Sequence, residues 1–242
     1  MFTNMTNMTN IIKKYSYKLW NNIVQYQNSE NETIYFDFET TGLNQFHLKI
    51  IEYAFLIEDF ESENKVNYNE KSDVLITSLI NPKIKFDKII TDITGIHPDT
   101  LDDKPTIDDQ LAIIEEFINY NDSNSQKYVY LVAHNGDNFD KIILQNTCKM
   151  YNANNINKIQ YNEWKFIDTL LLAKKLIPEL KSYSQKNLAK HFKIKSSNHR
   201  ALEDTIVLRQ IYHKLIDMLS NEMTITKSFL LENPQIVYAY LY

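Results

Sequence analysis

Asp37 and Glu39 stand two residues apart in the run IYFDFETTGL. On a β-strand, residues two apart project to the same face, so both carboxylates would crowd one spot. Left alone they repel, and one keeps its proton. A hard divalent cation with oxygen ligands, Mg²⁺ or Mn²⁺, resolves the conflict. Spacing alone is weak evidence, because Asp59 and Glu61 repeat it after another apolar run. That second pair opens a polar loop with no glycine behind it and reads as solvated surface. The first pair is followed by TTGL, in which Gly42 allows a sharp turn with backbone amides beside the acids.

Two further groups could join them. In VAHNGDNFDK, Asp140 follows an apolar run and opens a helical pattern, a place where loops leaving a sheet often carry chemistry. The bland reading of Asp140 is a helix N-cap. Its neighbour Asp137, flanked by glycine and asparagine, reads as a turn residue. In NHRALEDT, Asp204 falls in the first turns of a helix whose inner face carries Leu202, Ile206, Val207 and Ile211. His199 lies at that helix start, where the positive dipole end disfavours imidazolium, so a neutral ring there suits general-base work. His97 and Asp102 share the same spacing, but Pro98 interrupts them, and they read as a turn and a helix start.

The elements that must hold these groups are legible in outline. Residues 33–38, 50–57, 73–80, 128–133 and 165–167 read as strands. Residues 105–120, 140–151, 169–176, 185–192 and 200–219 have helical spacing. Three strands followed by alternating helices and strands predict an α/β fold with a mixed sheet of about five strands. A further helix is expected over 10–27, within an N-terminal extension of 1–32. The main domain is expected over 33–219, with 220–242 as a tail or appended helix.

The chain has 242 residues, 43% of them hydrophobic, enough for one substantial core. A single cysteine, Cys148, rules out an internal disulfide framework and a cysteine-based zinc site. No secretory signal pattern and no apolar run of membrane-spanning length occurs, so an intracellular protein without membrane attachment is expected. The net charge of −5 argues against a generic nucleic-acid binder. Yet residues 181–200 contain no acid while holding Lys181, Lys186, Lys190, Lys193, Lys195 and Arg200. A solvated helix face is the ordinary explanation of such a run; its position just before His199 gives it interest.

Taken in order, FDFETTGL, DITGI, HNGDNFD and HRALEDT resemble the motifs of the DEDD exonuclease superfamily, in the subgroup with histidine five residues before the last aspartate. The resemblance is to ribonuclease T and the proofreading subunits of replicative polymerases, and it covers roughly 33–219. It implies an RNase H-like fold and hydrolysis of phosphodiesters from 3′ ends with two divalent ions, Mg²⁺ or Mn²⁺. Asp37, Glu39, Asp140 and Asp204 match the metal-holding acids, with Glu39 and His199 in catalytic roles. Thr40, Leu43, Ile96, His134 and Asn135 match positions near the terminal nucleotide, Ile96 as an apolar wedge. Phe139 and Phe46 are further stacking candidates, though such residues are more often core. Three residues, Gly136 to Asn138, separate Asn135 from Phe139 where many members have two, as in the three-prime repair exonucleases. The implied partner is a nucleic acid with a free 3′ end, DNA or RNA. An RNA-trimming enzyme and a non-catalytic binding subunit are the alternatives.

Overall fold

The computed structural model describes residues 31–42, 48–58, 75–119, 128–196 and 199–242. The expected helix over 10–27, Leu43, Phe46 and the Asp59/Glu61 pair lie outside them. Five strands form one sheet: β1 (Asn31–Thr40), β2 (Ile50–Ile57), β3 (Leu75–Leu79), β4 (Tyr128–Ala133) and β5 (Lys165–Asp168). Their order is β3-β2-β1-β4-β5, with β1, β2 and β3 antiparallel and β1, β4 and β5 parallel. The mixed, roughly five-stranded sheet is the one expected, with β1 longer than the 33–38 read from the sequence. All of β2 is buried, as its nearly continuous apolar run IIEYAFLI requires.

The helices are α1 (Lys88–Thr94), α2 (Ile107–Ile118), α3 (Asp140–Asn154), α4 (Thr169–Leu176), α5 (Gln185–His191), α6 (Ala201–Met223), α7 (Lys227–Glu232) and α8 (Pro234–Leu241). Helix α2 starts just beyond Pro105 because Thr106 and Asp109 cap each other's backbone amides reciprocally. Helix α1 was not anticipated. It ends at Gly95, which takes φ 71° and donates its amide to the Thr91 carbonyl, a backbone state that glycine adopts without steric cost.

Alternation along β1 decides what lies above and below the sheet. Ile34, Phe36 and Phe38 enter one core with Phe55, Leu131 and Phe166 and with α2 and α3 residues such as Leu111 and Leu144. Phe36 stacks on Phe55 with centroids 5.4 Å apart and planes at 7°. Cys148 of α3 is fully buried in the same cluster, and burial pushes its thiol up to about 12. Tyr35 points the other way, into a core built from α4 to α8. Asp37 and Glu39 share the parity of Tyr35 and so face α6. That helix lays Leu208, Ile211, Tyr212, Leu215, Ile216 and Leu219 against β1 and β2. The expected tail forms α7 and α8, whose Leu230, Ile236 and Val237 are buried in this core.

Candidate active site

Near the C-terminal end of β1 a cleft of about 1060 Å³ opens, with Asp37, Glu39, Asp140, His199 and Asp204 in its lining. Ends of parallel strands are where loops diverge and leave such a crevice. One carboxylate oxygen each from Asp37, Glu39 and Asp204 lie within 4.8 Å of one another. Asp140, 4% exposed at the start of α3, falls outside this triplet but close enough to raise Asp37. Asp137 does not line the cleft; it pairs with Lys141 at 2.9 Å and accepts from the Tyr242 hydroxyl at 2.6 Å.

The acids strain against their own charge. Burial, followed by Asp140 and Glu39, holds Asp37 well above the usual carboxylate range. Burial and the nearby Asp204 push Glu39 up to about 8. Burial carries Asp140 to about 7 against the backbone amides of Asp140 and Phe38, which favour its ionised form. Asp204 rises to about 6, again through burial, with His199 opposing. Clustered carboxylates that resist ionisation without a cation, and that offer only hard oxygen donors, fit a hard metal cation.

Three positioning groups escaped the sequence reading. Glu52, opposite Glu39 across the β1/β2 ladder, is 3% exposed. Its carboxylate accepts from Arg200 Nη2 at 2.6 Å and Nε at 3.0 and 3.1 Å, and from the Ala201 amide at 3.0 Å. The start of α6, with His199 beside it, is thereby tied to the strand bearing Glu39. Asp168, 1% exposed, accepts from the amides of Asn135 (2.9 Å), Asp137 (3.3 Å) and Leu170 (2.9 Å), fixing the loop that leads to Asp140. Gln185 donates to the Asp204 carbonyl at 2.9 Å and to its carboxylate at 3.3 Å. The signal for Glu52 was its place as the one charge in an apolar strand, since buried charges need partners. For Asp168 and Gln185 no comparable signal exists.

The residues expected beside the terminal nucleotide divide. Ile96 is 4% exposed and packs with Ile51, Ile90 and Leu101, next to the turn at Gly95. On this side of the cleft the isoleucine in the lining is Ile93, 42% exposed. Thr40 is buried away from the lining, its hydroxyl donating to the Gly42 carbonyl at 2.7 Å. Gly42 has no positive φ, and the Thr41 amide is bonded to the Lys49 carbonyl; the rest of the expected glycine turn lies outside the described residues. His134 and Asn135 line the cleft. His134 Nε2 bonds the Tyr183 carbonyl at 2.8 Å, so it carries the proton, and Nδ1 meets the Thr169 hydroxyl at 2.9 Å. Burial pushes this ring down to about 4. With both nitrogens engaged, His134 is wall and support.

A mixed sheet of this order, with an acid-lined cleft at the end of its central strand, defines the RNase H-like exonuclease fold. The family described as "RNase_T: Exonuclease" matches residues 34–212, and the chain belongs to this DEDDh 3′-to-5′ exonuclease family. It is 31% identical over 191 residues to a PolC-type DNA polymerase III of Caldanaerobacter subterraneus, covering 78% of this chain and 12% of the polymerase. The PolC-type polymerase of Clostridium perfringens is 31% identical over 197 residues, with 81% and 12% covered. The chain therefore spans about one-eighth of the length of these relatives. Among solved structures, Exonuclease X in complex with 5′-overhanging duplex DNA superposes with a TM-score of 0.53 at 23% identity, over 84% of this chain and 99% of that one. The E. coli exonuclease I complex with single-stranded DNA gives 0.61 at 18% identity, over 81% and 42%. Both likenesses show the shared fold.

Proposed function

We propose that the chain removes nucleotides one at a time from the 3′ end of a nucleic acid, releasing nucleoside 5′-monophosphates. The observation that carries this reading is the Asp37, Glu39 and Asp204 triplet, with Asp140 beside it, on the floor of a cleft large enough for a terminal nucleotide. These four carboxylates would hold two divalent ions, which supply charge neutralisation at the phosphate and at the leaving oxygen.

The chain's own groups do the rest. His199 is exposed at the cleft mouth and takes the proton of the attacking water. As that oxygen bonds to phosphorus, the bond from phosphorus to the penultimate 3′ oxygen breaks. The leaving oxygen takes a proton from solvent water, leaving a shortened strand with a new 3′ hydroxyl. Ile93 offers an apolar edge to the terminal base, and Asn135 and Phe139 close the other side.

The test is digestion of matched single-stranded and duplex DNA and RNA, labelled at the 5′ end, by one preparation. The result expected is a descending ladder that needs Mg²⁺ or Mn²⁺, stops with chelator and is blocked by a modified 3′ hydroxyl. Equal cutting of circular substrates, or full activity in chelator, overturns the reading. Substrate class is read from the same experiment.

A further inference from the structure

A polyanion approaching this cleft meets an acidic floor within a chain of net charge −5, so its entry depends on local positive charge at a rim. On the α1 side, Asp92 is bonded to Lys88 at 2.9 Å. On the side formed by Phe139 and Asp140, Lys141 is bonded to Asp137 at 2.9 Å. Both of these cations are neutralised.

The third side differs. Ser184, Gln185 and Lys186 line the cleft, the chain runs out through α5, and it returns to the lining at Ser196. Along this excursion Lys186, Lys190, Lys193 and Lys195 are exposed, as is Lys181 just before it. None forms an ion pair with an acid among the described residues. Helix α5 rests Leu188 and Ala189 on the core, which turns its lysines to solvent. Lys186 and Lys190, four residues apart, share one face and are separated by about 6 Å along the axis. The row starts with Lys186 in the cleft lining, and Lys190 and Lys193 lie outside that lining.

We propose that this rim is the track of the substrate strand: Lys186, Lys190 and Lys193 meet successive backbone phosphates on the 5′ side of the terminal nucleotide. The proposal rests on the exonuclease reading of the cleft and deepens it. Lysine ammonium groups act as point charges on phosphate, so the track holds a nucleic-acid backbone without selecting its sequence. A strand too short to leave the cleft gains nothing from it.

The experiment compares the full chain with Lys186→Gln/Lys190→Gln and with Lys88→Gln/Lys141→Gln, after melting curves confirm folding. Anisotropy of 5′-fluorescein oligothymidylate and oligouridylate dodecamers is titrated with salt in Ca²⁺, intact label being checked on gels. Hydrolysis of a dinucleotide and of the dodecamers is then measured in Mg²⁺. Each lost phosphate contact on a single strand makes the plot of log affinity against log salt shallower by about 0.7. The α5 variant should be shallower by roughly 1.4 and bind roughly tenfold more weakly at low salt, the other double variant being unchanged. In Mg²⁺ its loss in kcat/KM should grow with substrate length and appear in KM. An unchanged slope, an equal effect from the Lys88/Lys141 variant, or a loss independent of length overturns the track. A wild-type chain that binds with the steeper slope but cuts nothing overturns the exonuclease reading while leaving the track standing.

Discussion

His199 and the acids make separable contributions, and single substitutions can tell them apart. On the proposed mechanism, replacing His199 with alanine removes the proton acceptor and should lower turnover by roughly 10²- to 10⁴-fold. The rise in melting temperature on adding Mg²⁺ should survive, because carboxylates supply the ligands; its disappearance would reassign His199 to holding the site together. The acids predict an unusual pH profile for the metal-free protein. Glu39 and Asp140, carried to about 8 and about 7, hold protons in the fold that the unfolded chain releases near pH 4. A raised pKa stabilises the fold below the unfolded value, and that stability is lost as pH rises through the folded one. His134, pushed down to about 4, works in the opposite direction but has finished by about pH 6.5. Between pH 6.5 and 8 the metal-free melting temperature should therefore fall, and saturating Mg²⁺ should remove the fall. A metal-free curve that rises across this window would contradict the geometry of the cluster. The sequence made these residues visible because strand alternation puts Asp37 and Glu39 on one face. It could not show that Ile93 and not Ile96 faces the cleft, since that depends on the turn at Gly95.

At the scale of elements, the clamp between β2 and the start of α6 is the joint on which the site depends. Glu52 holds Arg200 and the Ala201 amide together, so His199 and Asp204 are registered against Glu39 through a single side chain. Glu52→Ala should lower kcat by roughly 10- to 100-fold through misplacement of catalytic groups, with KM nearly unchanged. Stability should drop by about 1–3 kcal/mol; the figure is discounted because the Arg200 side chain is 44% exposed. Glu52→Gln, whose amide oxygen can still accept from Ala201, should recover part of the kcat. Identical losses in both variants would mean the clamp is only structural. Strands β1, β2 and β4 could be read because their apolar runs are short and bounded, and α6 because its stripe persists over several turns. Helix α1 is short and lies mostly ahead of the DITGI motif, overlapping it only at Asp92 to Thr94. The pairing of Glu52 with Arg200, 148 residues apart, has no local signature at all.

Among the described residues two large cores lie on opposite faces of one sheet, beside a smaller cluster of Ile51, Ile90, Ile96 and Leu101, with the cleft at the end of the strand both large cores share. Among the described residues no helix is long and apolar enough to cross a membrane. The tail helices α7 and α8 add to the α6 core, and Lys175 bonds the carbonyls of Tyr240 and Leu241 at 2.7 and 2.9 Å. Removing 234–242 exposes buried Ile236 and Val237 and should cost about 2–5 kcal/mol, seen as a lower midpoint in urea. An unchanged midpoint would show that this segment contributes nothing to the fold. The chain also carries its own clock. Cys148 is the sole cysteine and sits sealed beneath the sheet with its thiolate suppressed, so a thiol reagent can reach it only when the molecule opens. The rate of its modification counts openings directly, and a cation bound at the distant acids should slow that count in proportion to how tightly it holds the closed state.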